Sequence, residues 1–176
     1  HMKIAVMGYA GAGKSTLAQV LGAHYNIPVL HLDTVQFLPG WKERPLEDGL
    51  RLVGDFMAQA HWVIDGNYTK FYQAERLEAA DLILQLLFPR RASFWYAFTR
   101  YLKNRRRTRA DMAEGCPEKF DLAFMWWILY KGRTRAVRQK FDSTRKQYEE
   151  KTVVLKSRKA VEAYVRGLKA IAPIGR

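Results

Sequence analysis

The chain has 176 residues, of which 48% are hydrophobic and 27% charged, and it carries a formal net charge of +13. That length fits one domain with a sizeable core, and the balance of apolar and charged residues excludes a disordered or fibrous chain. A single cysteine, Cys116, excludes an intrachain disulfide and a cysteine-built zinc cage, and the longest apolar runs, such as residues 82–88, are too short to span a bilayer.

His1-Met2 reads as the remnant of a cleaved expression tag, and no secretory signal follows it, so a cytoplasmic location is expected. Ile4-Ala5-Val6-Met7 is a short apolar run closed by Gly8, which predicts a buried strand. Residues 14–24 carry Leu17, Val20, Leu21 and His24 at helical spacing, and Asn26 and Pro28 end that helix. Val29-Leu30-His31-Leu32 predicts a second strand ending at Asp33. Pro39-Gly40 and Pro45 mark a loop, and residues 46–60 a helix. Trp62-Val63-Ile64 predicts a third strand ending at Asp65-Gly66, residues 82–88 a fourth closed by Pro89, and residues 152–155 a fifth. A last helix is expected over 158–170.

Strands that alternate with helices, each a continuous apolar run, argue for a parallel sheet covered on both faces. Between the fourth and fifth strands lies a helical insertion over about 92–148. Phe94, Phe98, Tyr101 and Leu102 share one helical face in it, and Leu122, Met125, Trp126 and Leu129 share another. Both stripes are expected to pack in the core. Between them the polar, Arg-rich stretch 105–119 is a candidate flap.

The segment Gly8-Tyr9-Ala10-Gly11-Ala12-Gly13-Lys14-Ser15 matches the phosphate-loop pattern GxxxxGK[ST]. Its glycines allow positive φ and let backbone N–H groups approach phosphate without a Cβ in the way. The helix that begins here aims its unpaired N–H groups and positive dipole end at the same anion. The loop residues Gly8, Gly11, Ala12, Gly13, Lys14, Ser15 and Thr16 are therefore expected to hold the phosphates of ATP or GTP. Lys14 supplies a point charge for the β and γ phosphates, and Ser15 a hydroxyl for Mg²⁺.

Asp33 and Asp65 close predicted strands, at the sheet edge where parallel α/β proteins bind ligands. A carboxylate there can hold Mg²⁺ or take a proton from an attacking hydroxyl; a turn or helix-capping Asp is the alternative. His24 and His31 are expected to be packed or capping residues rather than ligands.

From Arg90 to Lys146 there are 16 Lys and Arg against 5 Asp and Glu, so one third of the chain holds nearly all of the excess charge. A nucleic-acid backbone, a phosphate cleft or a solvated basic face would each account for it. Phosphoryl transfer favours the cleft, because it spreads charge over oxygens that bidentate arginines clamp well. Arg90, the flap residues Arg105 and Arg109, and Arg133 are the candidates, the last three as catalytic groups.

With the loop, His31-Leu32-Asp33, Trp41, the Ile64-to-Tyr68 segment, Phe88-Pro89-Arg90 and the stretch from Thr108 to Pro117 on the page, the chain resembles adenylate-kinase-like P-loop kinases. It is more closely similar to the bacterial DNA topology modulation proteins, over nearly its whole length. The resemblance implies a three-layer P-loop NTPase fold with a five-stranded parallel sheet, a single domain over 1–176, and a helical Arg-rich lid insertion. It also implies ATP and Mg²⁺ as cofactors and transfer of the γ-phosphoryl to a small acceptor such as a nucleoside monophosphate. By position, Asp33, Arg44, Asn67 and Arg90 are the expected acceptor residues, and Ser15, Asp33 and Asp65 the expected metal residues. Asn67-Tyr68 after Asp65-Gly66 departs from the Phe-Pro-Arg of adenylate kinases, as does the short lid without metal-binding cysteines. A nucleotide-regulated DNA-binding protein and an NTPase acting on water are the alternatives. No membrane partner is expected, and the sequence does not specify an oligomeric state.

Overall fold

The computed structural model describes residues 2–103 and 122–169. Strand β1 (Lys3–Gly8) leads through the glycine loop into helix α1 (Lys14–Tyr25). The helix stops at Asn26, which takes a left-handed φ of 52° and returns its N–H to the Gly22 carbonyl. Strand β2 (Val29–His31) runs straight into a short helix α2 (Leu32–Gln36), followed by a small antiparallel hairpin of β3 (Phe37–Leu38) and β4 (Lys42–Glu43). Then come α3 (Leu46–Met57), β5 (Trp62–Asp65), α4 (Gln73–Ala79) and β6 (Leu82–Leu86). Helices α5 (Arg90–Lys103), α6 (Leu122–Leu129) and α7 (Arg135–Gln147) precede β7 (Thr152–Leu155) and α8 (Arg158–Lys169).

Five strands form one parallel sheet in the order β2-β5-β1-β6-β7. Strand β1 is central and pairs on both sides, so Ile4 faces Val63 on one neighbour and Leu82 on the other. Alternate side chains of a strand point to opposite faces, and β1 divides accordingly. Ile4 and Val6 pack with Leu17, Ala18, Leu21 and Leu168, which puts α1 and α8 on one face. Ala5 and Met7 pack with Leu32, Val53, Phe71 and Phe141 on the other. The architecture is the expected three-layer α/β sandwich.

Phe141 is buried against that second face, so α7 belongs to the body of the domain. Truncating such a ring costs about 3–5 kcal/mol. The expectation of core packing fails on α6, where only Ile128 is buried while Leu122 is 80% and Trp126 53% exposed. An eight-residue helix that is apolar on every side can bury only the side that meets its neighbours. On α5, Ser93 and Ala97 are the buried residues, and Leu102 is exposed. The candidate flap, with Arg105, Arg109 and Cys116, lies outside the described residues. Among the described residues no helix is long and apolar enough to cross a membrane.

Candidate active site

The loop between β1 and α1 turns on Gly11 and Gly13, whose φ values of 74° and 79° favour residues without a Cβ. Packing adds a second constraint. A Cβ on Gly11 would lie 2.7 Å from the Ser93 carbonyl oxygen, and one on Gly13 3.0 Å from the Tyr96 ring. The phosphate loop is therefore seated on α5 as well as strung between β1 and α1. Helix α1 begins without a side-chain cap and without an acid in its first turn, so its amino end stays electropositive. Lys14 arches back over the loop and donates from Nζ to the carbonyls of Gly8 (3.3 Å) and Tyr9 (3.1 Å). Thr16 meets the Tyr96 hydroxyl at 3.2 Å and is exposed, and Ala12 is buried in the core.

Asn67, just past the neighbouring strand β5, ties down the loop: its amide nitrogen donates to the Gly8 carbonyl at 2.6 Å, and its oxygen accepts the Gly8 N–H at 3.1 Å. Asn67 lines the cavity and also fixes the loop's first residue.

Asp65 ends β5 as expected and is buried, with its carboxylate hydrogen-bonded to Nδ1 of His31 at the end of β2. The other ring nitrogen of His31 meets the Gln19 side-chain amide of α1 at 3.0 Å. Burial pushes the Asp65 carboxyl above the usual range, and the His31 bond and the nearby Lys14 partly offset that. The His31 side chain caps no helix. It pairs with Asp65, a relation that sequence reasoning missed because 34 residues separate the two.

Asp33 is not a strand-end residue. The strand stops at His31, the Thr34 hydroxyl closes the next turn onto the His31 carbonyl at 2.6 Å, and Asp33 sits in the first turn of α2. It still reaches the cavity. The Tyr68 hydroxyl donates to its Oδ1 at 2.6 Å, and Oδ2 has no partner among the described residues. Tyr68 is positioned in turn by buried Arg76, whose guanidinium donates to the carbonyls of Tyr68 and Phe71.

The arginines separate. Arg44 donates from Nε to the Val35 carbonyl at 2.9 Å and pins the β3–β4 hairpin to α2. Exposed Arg90 lies 5.7 Å from the Tyr130 ring, and neither arginine lines the cavity. Arg133 is buried. It donates to the carbonyls of Ile128 (3.0 Å) and Phe88 (2.6 Å) and to the Ser93 hydroxyl (2.7 Å), and it stacks 4.1 Å from the Tyr9 ring of the loop. In this arrangement every nitrogen of its guanidinium is engaged by the protein, so Arg133 braces the loop against α5 and α6. No local sequence signal separates such a brace from a phosphate-binding arginine.

Loop, strand ends, hairpin and α7 enclose a cavity of about 730 Å³. It brings together Gly8, Gly11, Gly13, Lys14, Ser15, Asp33, Asp65 and Asn67. A phosphate chain fits the glycine cradle and Lys14. Ser15, whose hydroxyl has no protein partner among the described residues, fits a cation held between protein and phosphate. No group of three or more His, Cys, Asp and Glu among the described residues could hold a metal alone.

No protein-family model matches this chain, and no curated protein sequence does. Among solved structures, it is similar to a shikimate kinase from Bacteroides thetaiotaomicron, at 19% identity with a TM-score of 0.54 and 96% of each chain covered. A shikimate kinase from Aquifex aeolicus vf5 aligns at 16% identity, with a TM-score of 0.46 and 96% and 97% covered. An unliganded sugar kinase from Janibacter sp. HTCC2649 aligns at 15% identity, with a TM-score of 0.48 and 98% and 99% covered. The likeness to the first of these shows the fold to be the three-layer P-loop α/β fold.

Proposed function

We propose that the protein is a P-loop phosphotransferase that moves the γ-phosphoryl group of ATP, or of GTP, to a hydroxyl of a small acceptor. The observation that carries this reading is a glycine cradle with Lys14 and Ser15 that opens into the same cavity as Asp33. A loop alone would suit any nucleotide-binding protein. A carboxylate with an open oxygen across the cavity suits a second substrate.

Each residue then has a task. The loop amides and Lys14 bind the phosphate chain and offset charge that builds on its oxygens during transfer. Mg²⁺ supplies further charge neutralisation when bound, with Ser15 as its protein ligand and Asp65 and Asp33 within its surroundings. Asp33 Oδ2 accepts the hydrogen bond of the acceptor hydroxyl. As the acceptor's hydroxyl oxygen bonds to the γ-phosphorus, the bond from phosphorus to the β–γ bridging oxygen breaks, the electron pair leaves with the nucleoside diphosphate, and the hydroxyl proton passes to Asp33.

A screen of small hydroxyl compounds, nucleoside monophosphates among them, for ATP-dependent phosphorylation tests the reading. Transfer that Lys14→Ala and Asp33→Asn both strongly reduce is the expected result. Phosphate release to water alone, unchanged by any acceptor, would make the protein an NTPase.

A further inference from the structure

We infer that the acceptor is an uncharged, ring-shaped hydroxyl compound, and that Trp41 is the residue that selects it. This rests on the phosphotransfer reading and narrows it.

The cavity has two halves of different chemistry. Its cations among the described residues, Lys14, Arg100 and Lys140, come from the loop, α5 and α7. The stretch from residue 33 to residue 73 contributes carboxylates, aromatic rings and polar groups to the wall, and no Lys or Arg. Asp33, Phe37, Trp41 and Tyr68 make up the core of that half. The one arginine placed by sequence to meet an acceptor anion there, Arg44, donates to the Val35 carbonyl and does not line the cavity. An anionic acceptor would approach the Asp33 carboxylate without a counter-charge from this wall, and like charges in a partly closed cavity repel.

The hairpin is built to present Trp41. Its turn holds Trp41 at φ 63°, a left-handed conformation that a bulky side chain adopts only when its surroundings hold it there. Phe37 meets the Trp41 ring edge-on at 5.1 Å, and Arg44 fastens the base of the hairpin through Val35 and, by its backbone N–H, through the Gln36 carbonyl at 2.8 Å. A fixed indole in the wall of the same cavity as an open carboxylate oxygen suits a molecule with an apolar or π face on one side and a hydroxyl at its edge. Nucleosides, hexoses and cyclitols share that chemistry; nucleoside monophosphates and sugar acids lack its neutrality.

The full chain with MgATP is assayed against matched pairs: adenosine and AMP, glucose and glucuronate, myo-inositol and its monophosphate. Calorimetry of MgATP binding is run in parallel. The neutral member of at least one pair should be phosphorylated with kcat/KM about tenfold or more above its anionic partner, and which pair responds identifies the ring. Trp41→Gly suits the left-handed backbone while removing the ring. It should raise KM for that acceptor about tenfold with the MgATP dissociation constant unchanged, and Trp41→Phe should restore most of the loss. Preference for the anionic members, or an unchanged KM in Trp41→Gly, overturns the inference. Normal MgATP binding with no neutral compound phosphorylated also overturns it and leaves the nucleotide reading standing; absent MgATP binding overturns both.

Discussion

Tyr68 and Asp33, 35 residues apart in sequence, share a 2.6 Å hydrogen bond at the wall of the cavity, with the phenol donating to one carboxylate oxygen. The bond holds the carboxylate in one orientation and leaves its second oxygen for a ligand. Tyr68→Phe should lower kcat/KM for the acceptor about tenfold while changing stability by no more than about 1.5 kcal/mol. Burial, reinforced by Asp33, keeps the Tyr68 phenol protonated well above its ordinary range. A raised folded-state pKa gives stability that is complete below about pH 10 and is lost as pH climbs through the folded value. Melting temperatures between pH 9 and pH 11 should therefore fall less steeply in Tyr68→Phe than in wild type. Parallel curves would mean that folding does not raise the pKa of the Tyr68 phenol.

Lys14 bridges two loop carbonyls, a modest role that a charged side chain beside a glycine cradle would exchange for phosphate. Lys14→Ala should reduce phosphoryl transfer about 10²–10³-fold with a melting temperature close to that of wild type. Calorimetry with MgATP and single-turnover kinetics read the two halves of this prediction. Equal affinity together with equal turnover would remove Lys14 from the site.

Arg133 separates bracing from catalysis. Its removal leaves the carbonyls of Phe88 and Ile128 and the Ser93 hydroxyl without their donor in a buried setting. Arg133→Met should cost about 3 kcal/mol or more in chemical denaturation and should weaken MgATP binding through the loosened Tyr9. A residue that touched only the transition state would lower kcat and leave denaturation midpoints alone.

The sheet was legible because each of its five strands is a short apolar run with a stop signal, and the loop because its glycines, Lys14 and Ser15 sit at fixed spacing. The β3–β4 hairpin was hidden, since two-residue strands carry no periodicity and the left-handed turn falls on Trp41, where a glycine or asparagine is usual. Helix α4 was missed because seven residues hold too few apolar positions to show a period. Asp33 was legible as an acid near the sheet edge but not as a helical residue. The strand ends one position early on a hydroxyl-closed turn, and pattern reading resolves boundaries poorly. Asn67, His31 and Arg133 carry contacts with residues 59, 34 and 40 positions away, which no local pattern encodes.

The buried pair His31–Asp65 makes a prediction about pH. Asp65 lies among apolar strand residues, and its charge is supported by the His31 ring and, at longer range, by Lys14. Burial outweighs that support and raises its pKa. A carboxyl raised on folding gives stability that is fully present below its ordinary range, near pH 4, and is lost as pH rises through the elevated folded value. Asp65→Asn keeps the size and the acceptor oxygen for His31 but carries no charge, so it escapes that loss. The variant should melt close to wild type near pH 4 and progressively above it toward pH 8, while phosphoryl transfer falls about a hundredfold because the support for the metal is gone. Denaturation at pH 4, 6 and 8 alongside turnover at saturating MgATP reads both effects. A constant stability deficit in Asp65→Asn across that range would show that the charged pair holds the strand ends together, and would reverse the sign of this argument.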